Sequence, residues 1–291
     1  MDLHDKVALI TGPARGIGEA LARGLAARGM RLALVGLEPE RLAALAQELG
    51  PAHMWAECDV TDAASLERAV KQAVDTLGGL DVVVANAGIA AHGPVAVTPM
   101  SALRRVIEVN LIGVIGTVHA TLHHVAARQG YFLLISSAAA LAATPGFASY
   151  CASKSGVEHF ANALRLELAY RGVDVGSAHP CWIDTDLVRD AQGELNSFRA
   201  MLRNLPGPFG TITSVEECTR QLIAGIEGRK RKIFIPRSLA PFAALRQLLM
   251  SPAGEFFLRR DAKKMMTRLE KEVTTLGRHF GQNSVETTRK P

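Results

Sequence analysis

Short apolar runs alternate with longer amphipathic stretches along most of the chain. The runs at 6–11, 31–35, 53–57, 80–85, 131–136, 173–178 and 232–235 are almost continuously apolar, as strands covered on both faces must be. Between them, residues 19–28, 38–49, 61–77, 101–128, 149–171 and 213–227 repeat their apolar positions at helical spacing. Strand and helix in strict alternation predict an α/β fold: a doubly wound parallel sheet of about seven strands with helices on both faces. Right-handed crossovers then line up the carboxyl ends of the strands along one edge. That edge gathers Gly12, Asp59, Asn86, Ser137 and Pro180 from distant parts of the sequence.

The first run leads directly into Gly12-Pro13-Ala14-Arg15-Gly16-Ile17-Gly18 and a helical pattern from Glu19. A strand, a glycine turn and a helix start make an anion site, because the first N–H groups of a helix have no partner within it. Gly12 suits the tight turn, Gly16 lets the backbone approach a pyrophosphate, and Gly18 allows close packing of helix on strand. Farther on, Tyr150 and Lys154 lie four positions apart, which puts them on one face of the predicted helix. Taken alone this spacing is a weak signal, since many helices carry such a pair with a merely solvated lysine. A free phenol titrates near pH 10, so its use as acid or base near neutrality requires about 4 kcal/mol from the site. A neighbouring ammonium can supply part of it. Ser137 and Asn110 would complete a proton-handling set for redox chemistry on a carbonyl or alcohol. Their plainer readings are a strand-end serine capping a turn and a buried amide steadying a helix bend.

Thr11, Gly12, Gly16 and Gly18 fit the T-G-x-x-x-G-x-G pattern of the short-chain dehydrogenase/reductase family, which the chain resembles over residues 1–235. Cys58-Asp59-Val60 resembles the family's adenine-contacting strand end, and Asn86-Ala87-Gly88 its N-A-G motif. Asn110, Ser137, Tyr150 and Lys154 follow at family spacing. Pro180-Cys181-Trp182-Ile183-Asp184-Thr185 is similar to the P-G-x-x-x-T segment that holds the nicotinamide, with Cys181 in place of the glycine. The resemblance implies a Rossmann-fold, NAD(P)-dependent oxidoreductase in which Tyr150 exchanges the proton and Ser137 holds the reacting oxygen. It gives Lys154 the nicotinamide ribose and the lowering of the Tyr150 pKa, and Asn110 a relay water. The segments just quoted, with Arg15 and Ile17 in the turn, are the implied cofactor contacts. Val35-Gly36-Leu37-Glu38 lacks the aspartate of NAD-preferring relatives, Gly36 leaves room for a 2′-phosphate and Arg15 can pair with it. NADP is therefore expected over NAD, although Leu37 adds no second positive charge and Glu38 can serve a ribose. The same fold also hosts epimerases, dehydratases and non-catalytic nucleotide-binding scaffolds. A homodimer or homotetramer is expected.

Composition narrows the picture. The net charge of +5 belongs to the C-terminal part: residues 236–291 hold eleven Lys/Arg against five Asp/Glu, and residues 1–235 hold 22 against 23. Residues 1–235 are expected to form the catalytic domain and 236–291 a basic helical extension, with the polar residues 277–291 disordered. Within it, Leu258, Ala262, Met265, Leu269, Val273 and Leu276 repeat at helical spacing among Arg259, Arg260, Lys263, Lys264, Arg268 and Lys271. Such a helix can lie on an anionic membrane surface, helped by the apolar run 239–250. Packing on its own core or on a partner subunit is the favoured alternative. No nucleic acid partner is expected. Four cysteines without close pairing suggest reduced thiols in a cytoplasmic protein. The N-terminal residues run straight into the first strand and no apolar run reaches the roughly 20 residues of a membrane span, so neither secretion nor a membrane span is expected. His119 and His123 could clamp zinc at i, i+4, but no third ligand follows, so surface or interface histidines and no metal are expected. Cys151 follows Tyr150 directly, and successive helical positions point about 100° apart, so it reads as a packing residue. Residues 186–212, with Leu187, Phe198, Met201, Leu202, Leu205 and Phe209, suggest a mobile lid that, with Trp182, faces a hydrophobic alcohol or ketone.

Overall fold

The computed structural model describes residues 1–205, 207–249 and 251–282. Among the described residues nine strands form: β1 (Val7–Thr11), β2 (Arg31–Gly36), β3 (Met54–Glu57), β4 (Val82–Ala85), β5 (Tyr131–Ile135), β6 (Asp174–Pro180), β7 (Trp182–Ile183), β8 (Ile212–Thr213) and β9 (Lys232–Ile235). Seven of them make one parallel sheet in the order β3-β2-β1-β4-β5-β6-β9. The connection reverses direction between β1 and β4, which opens a crevice at the carboxyl ends of those strands, the usual ligand position in such sheets.

Helices α1 (Gly16–Ala26), α2 (Pro39–Leu49), α3 (Ala63–Leu77), α4 (Met100–Ile107), α5 (Gly113–Ala127), α6 (Ala148–Leu168), α7 (Asp186–Glu194), α8 (Asn196–Asn204) and α9 (Val215–Glu227) follow the strands. Alternate side chains of each strand point to opposite faces, so the sheet carries two cores. Leu9, Val83 and Phe132 pack with Leu66 of α3, Val114 of α5 and Val157 of α6. Ile10, Val84 and Leu133 pack with Leu21 of α1, Leu42 of α2 and Leu222 of α9. The long helix predicted over 101–128 is divided by a π turn, Glu108–Ile112, that contains Asn110. By length and composition, Met100–Ala127 could cross a bilayer, yet Val106, Val114, Val118 and Val125 are buried against the sheet's own core.

The extension is helical: α10 (Ala240–Ala244), α11 (Arg246–Leu249) and α12 (Pro252–Leu276). It is anchored where Glu158 of α6, 2% exposed, receives Lys232 and Arg246. The described part of the α12 face lends the membrane-surface reading no support. Leu269 and Val273 are buried against Phe147 and the α7–α8 residues Val188, Ala191, Leu195, Phe198 and Leu202, while Leu276 on the same face is 37% exposed. The side chains of Leu258 and Ala262 lie outside the described residues. Residues 277–282 also depart from the expected disorder. His92 N–H donates to His279 O at 2.7 Å, and Ala91 and Phe280 form an antiparallel bridge. Composition alone does not reveal that pairing. Residues 283–291 lie outside the described part.

Candidate active site

The crevice above β1 and β4 begins with the glycine turn. Gly12 and Gly16 have φ of +65° and +59°, a backbone region that glycine enters without steric cost. A Cβ on Gly12 would lie 2.9 Å from Ala87 Cα, and one on Gly18 would lie 2.4 Å from Gly12 O. Asn86 pins the turn from the β4 side: its Nδ2 donates to Thr11 O and Gly12 O, both at 3.0 Å. Buried Thr11 receives Asn86 N–H at 3.0 Å and Ala87 N–H at 3.1 Å. No side chain caps the N-terminus of α1, which leaves its first N–H groups facing the groove, as an anionic pyrophosphate requires.

The groove, of about 240 Å³, passes from this turn to Tyr150 and Lys154, bounded by Asp59, Val60, Gly88, Pro180, Ile183 and Thr185. Thr185 Cγ2 would lie 3.3 Å from a Cβ on Gly16, so the segment after β6 closes over the start of α1. Cys181, at the family's glycine position, has no positive φ, and therefore the turn tolerates a side chain there. Burial raises its thiol to about 11, so it remains protonated. Cys151 contacts Thr144 instead of the groove. Among the described residues no three His, Cys, Asp or Glu side chains are grouped to hold a metal. His119 and His123 are exposed.

Tyr150 and Lys154 line the inner end of the groove, and Ser137 stands behind it, hydrogen-bonded with the Tyr150 hydroxyl. Burial pushes the Tyr150 phenol up to about 12, opposed by a hydrogen bond with Ser137. Lys154 Nζ lies 5.7 Å from the centre of the phenol ring and donates to Ile135 O at 2.9 Å. The expected lowering of the phenol pKa by Lys154 is absent in this arrangement, because desolvation of the phenolate outweighs a cation placed over the ring. The same desolvation lowers Lys154 itself to about 8. Ser137 Oγ accepts from Ala139 N–H at 3.1 Å and donates to Pro180 O at 3.3 Å, so it caps the turn after β5 and ties it to β6. Asn110 is fully buried. Its Nδ2 donates to Ile89 O at 2.9 Å and to Ser153 Oγ at 3.2 Å, and its Oδ1 accepts from Ile89 N–H at 2.8 Å. Its amide thus braces the N-A-G loop. Gly88 passes between Asn110 and Lys154; a Cβ there would stand 3.3 Å from Asn110 Oδ1 and 3.4 Å from Lys154 Nζ.

At the outer end Arg15 pairs with Glu38 through two nitrogens, and Arg41 Nε lies 3.6 Å from the same carboxylate. Asp59 accepts Thr61 N–H at 2.9 Å and faces Arg105 at 3.1 Å. Burial would raise its carboxyl, but the bonds from Thr61 and Arg105 bring it below the ordinary value. Arg105, which also borders the groove, escaped the sequence reading. Its only signal is the Arg104-Arg105 pair within an otherwise apolar helical stretch.

Fold and site together define a dinucleotide-binding oxidoreductase. The family model for short chain dehydrogenases matches residues 6–196. A borneol dehydrogenase, mitochondrial, from Lavandula x intermedia is 34% identical over 223 residues, 76% of this chain and 84% of the relative. A short-chain dehydrogenase/reductase from Burkholderia phymatum in complex with NAD superposes with a TM-score of 0.76 at 22% identity, covering 86% of this chain and 95% of the other. An alcohol dehydrogenase from Thermococcus sibiricus complexed with 5-hydroxy-NADP gives 0.68 at 26% identity, over 79% and 95%. The chain belongs to the short-chain dehydrogenase/reductase family: it is an NAD(P)-dependent oxidoreductase acting on CH–OH and C=O groups.

Proposed function

We propose that this enzyme interconverts a hydrophobic alcohol and its ketone, with Tyr150 as the proton donor in reduction and acceptor in oxidation. The observation that carries the reading is that Tyr150, hydrogen-bonded with Ser137, and Lys154 line one end of a groove whose other end is the open start of α1. The nicotinamide supplies or accepts the hydride at the substrate carbon. Ser137 orients the oxygen toward the phenol, which burial keeps protonated and ready to donate. Lys154 holds the ribose and supplies the positive charge that the departing proton leaves uncompensated. Asn110 fixes the N-A-G loop and steadies the relay. The apolar side chains around Tyr150, among them Phe147, Trp182 and Phe198, favour an apolar substrate, in keeping with a relative named a borneol dehydrogenase. Residues 1–235 form the catalytic unit of a cytoplasmic homo-oligomer, with 236–291 appended.

A panel of alcohols and ketones assayed with each nucleotide at the nicotinamide absorbance tests the activity; turnover of polar sugars alone would overturn the substrate class. NADP is preferred because Arg15 lines the groove beside Gly36, while Glu38 is held by Arg15 and Arg41. A Cβ on Gly36 meets nothing closer than 3.7 Å, so the position accepts a Cβ at ordinary contact distance, and Gly36→Asp introduces a carboxylate against the 2′-phosphate. The kcat/KM ratio of NADPH to NADH should fall about 100-fold in Gly36→Asp, two charge-assisted contacts' worth. An unchanged ratio contradicts the assignment.

Lys154 also sets a pH dependence. Its pKa is lowered to about 8, so it is cationic below that value and loses its charge as pH rises through it. Tyr150, at about 12, does not titrate in the same range. Reduction should hold a plateau below about pH 7 and decline above 8. In Lys154→Met that alkaline decline should vanish, with turnover lower by about 10²-fold or more. A decline that persists in the variant assigns the titration to another group.

A further inference from the structure

The geometry points to the end of the C-terminal extension, residues 269–282, as a wall of the substrate cavity that clamps the α7–α8 helix pair and limits substrate size. The inference rests on the proposed dehydrogenase reading and adds to it the element that selects the substrate. One apolar cluster runs from the Tyr150 ring through Phe147, Trp182 and Phe198 to Leu269 and Val273 of α12. A Cβ on Gly146, four positions before Tyr150, would lie 2.4 Å from Leu269 Cδ2, so α12 presses directly on the loop that leads into the catalytic helix.

Polar contacts fix the same segment to the elements on either side of that cluster. The N-terminus of α8 has no cap from its own neighbours. Glu272 provides one across 75 positions of sequence, accepting Ser197 N–H at 3.1 and 3.2 Å. A carboxylate there satisfies free N–H groups and faces the positive end of the helix dipole. Arg278 pairs with Glu194 at the end of α7 at 2.7 Å. His279 O and Phe280 engage the loop after β4 through His92 and Ala91. The lid pair, the loop before α6 and the loop after β4 are therefore joined by one segment, and a substrate whose reacting oxygen sits at Tyr150 directs its apolar end toward Leu269 and Val273.

Two measurements test this. With 2-butanone and 2-undecanone as probes, Val273→Ala should raise the kcat/KM ratio of the larger ketone to the smaller about 10-fold over wild type, the scale of a methylene or two in an apolar pocket. The nucleotide Kd should stay within about twofold, because the residue lies away from the groove. An unchanged ratio, or an equal change for both ketones, overturns the size selection. The clamp is read without turnover by amide hydrogen exchange: Glu272→Ala should speed exchange in residues 195–204 about 5- to 10-fold while β4 and β5 stay unchanged. Glu272→Gln, which retains an acceptor, should remain near wild type. Unaltered exchange in Glu272→Ala overturns the clamp. If wild type reduces no ketone with either nucleotide, the dehydrogenase reading fails, and the size selection with it, while the exchange result still decides the clamp.

Discussion

Tyr150→Phe should lower turnover by about 10³-fold in both directions while leaving the fold and the nucleotide affinity close to wild type. The phenol hydroxyl is the acidic group at the inner end of the groove, held protonated by burial and hydrogen-bonded with Ser137. Proton transfer by a positioned side chain contributes about 10²- to 10⁴-fold, and phenylalanine leaves the ring and its packing in place. Loss of one neutral hydrogen bond costs about 1 kcal/mol, too little to unfold the chain. Steady-state kinetics separate the outcomes: reduced kcat at unchanged nucleotide KM supports the assignment. Retention of wild-type kcat would mean that another group carries the proton, or that the measured reaction is not the one for which this site is built. Cys181 also lines the groove, but burial raises its thiol to about 11 against the lowering effect of the Trp182 N–H, so it gives up its proton less readily than an ordinary thiol.

The parallel sheet was legible because its strands are covered on both faces and so leave unbroken apolar runs. β6 was foreseen only to residue 178, since Pro180 removes a donor without preventing the strand from ending there. The two-residue pair β7–β8 left no periodic signal at all. In the site, the glycine turn was readable because backbone geometry restricts the residue type at Gly12, Gly16 and Gly18. The direction of the Tyr150 shift was not. Helical spacing places Lys154 on the correct face, but whether charge or desolvation prevails depends on burial, which spacing does not encode. Arg15 shows a similar limit: its partner Glu38, 23 positions away, is set by how the β2–α2 turn folds back on the start of α1. Glu272 and His279 were invisible for the same reason over longer separations, as each acts on a backbone group brought near by the path of the extension.

Gly18→Ala tests the other end of the groove and should raise the nucleotide Kd about 100-fold or more. The added methyl would stand 2.4 Å from Gly12 O, 2.5 Å from Asn86 Nδ2 and 3.0 Å from Pro13 Cα. Two of these atoms are main chain, and the third is the amide that pins the turn through Thr11 O and Gly12 O. No flexible side chain can yield, so α1 must move away from β1 or the Asn86 bonds must break, and either change withdraws the α1 N–H groups from the phosphate position. Overpacking of this kind costs about 1–3 kcal/mol, a drop of a few degrees in Tm for a chain of this size. Gly193→Ala is the matched control: no atom lies within 4 Å of its Cβ position, and within α7 alanine should be neutral or stabilising by up to about 1 kcal/mol. Nucleotide titration by fluorescence, paired with thermal melts of both variants, distinguishes the two effects. If Gly18→Ala bound NADPH like wild type, α1 would not be the phosphate-binding helix, and the placement of the nicotinamide beside Tyr150 would have to be rebuilt from another anchor.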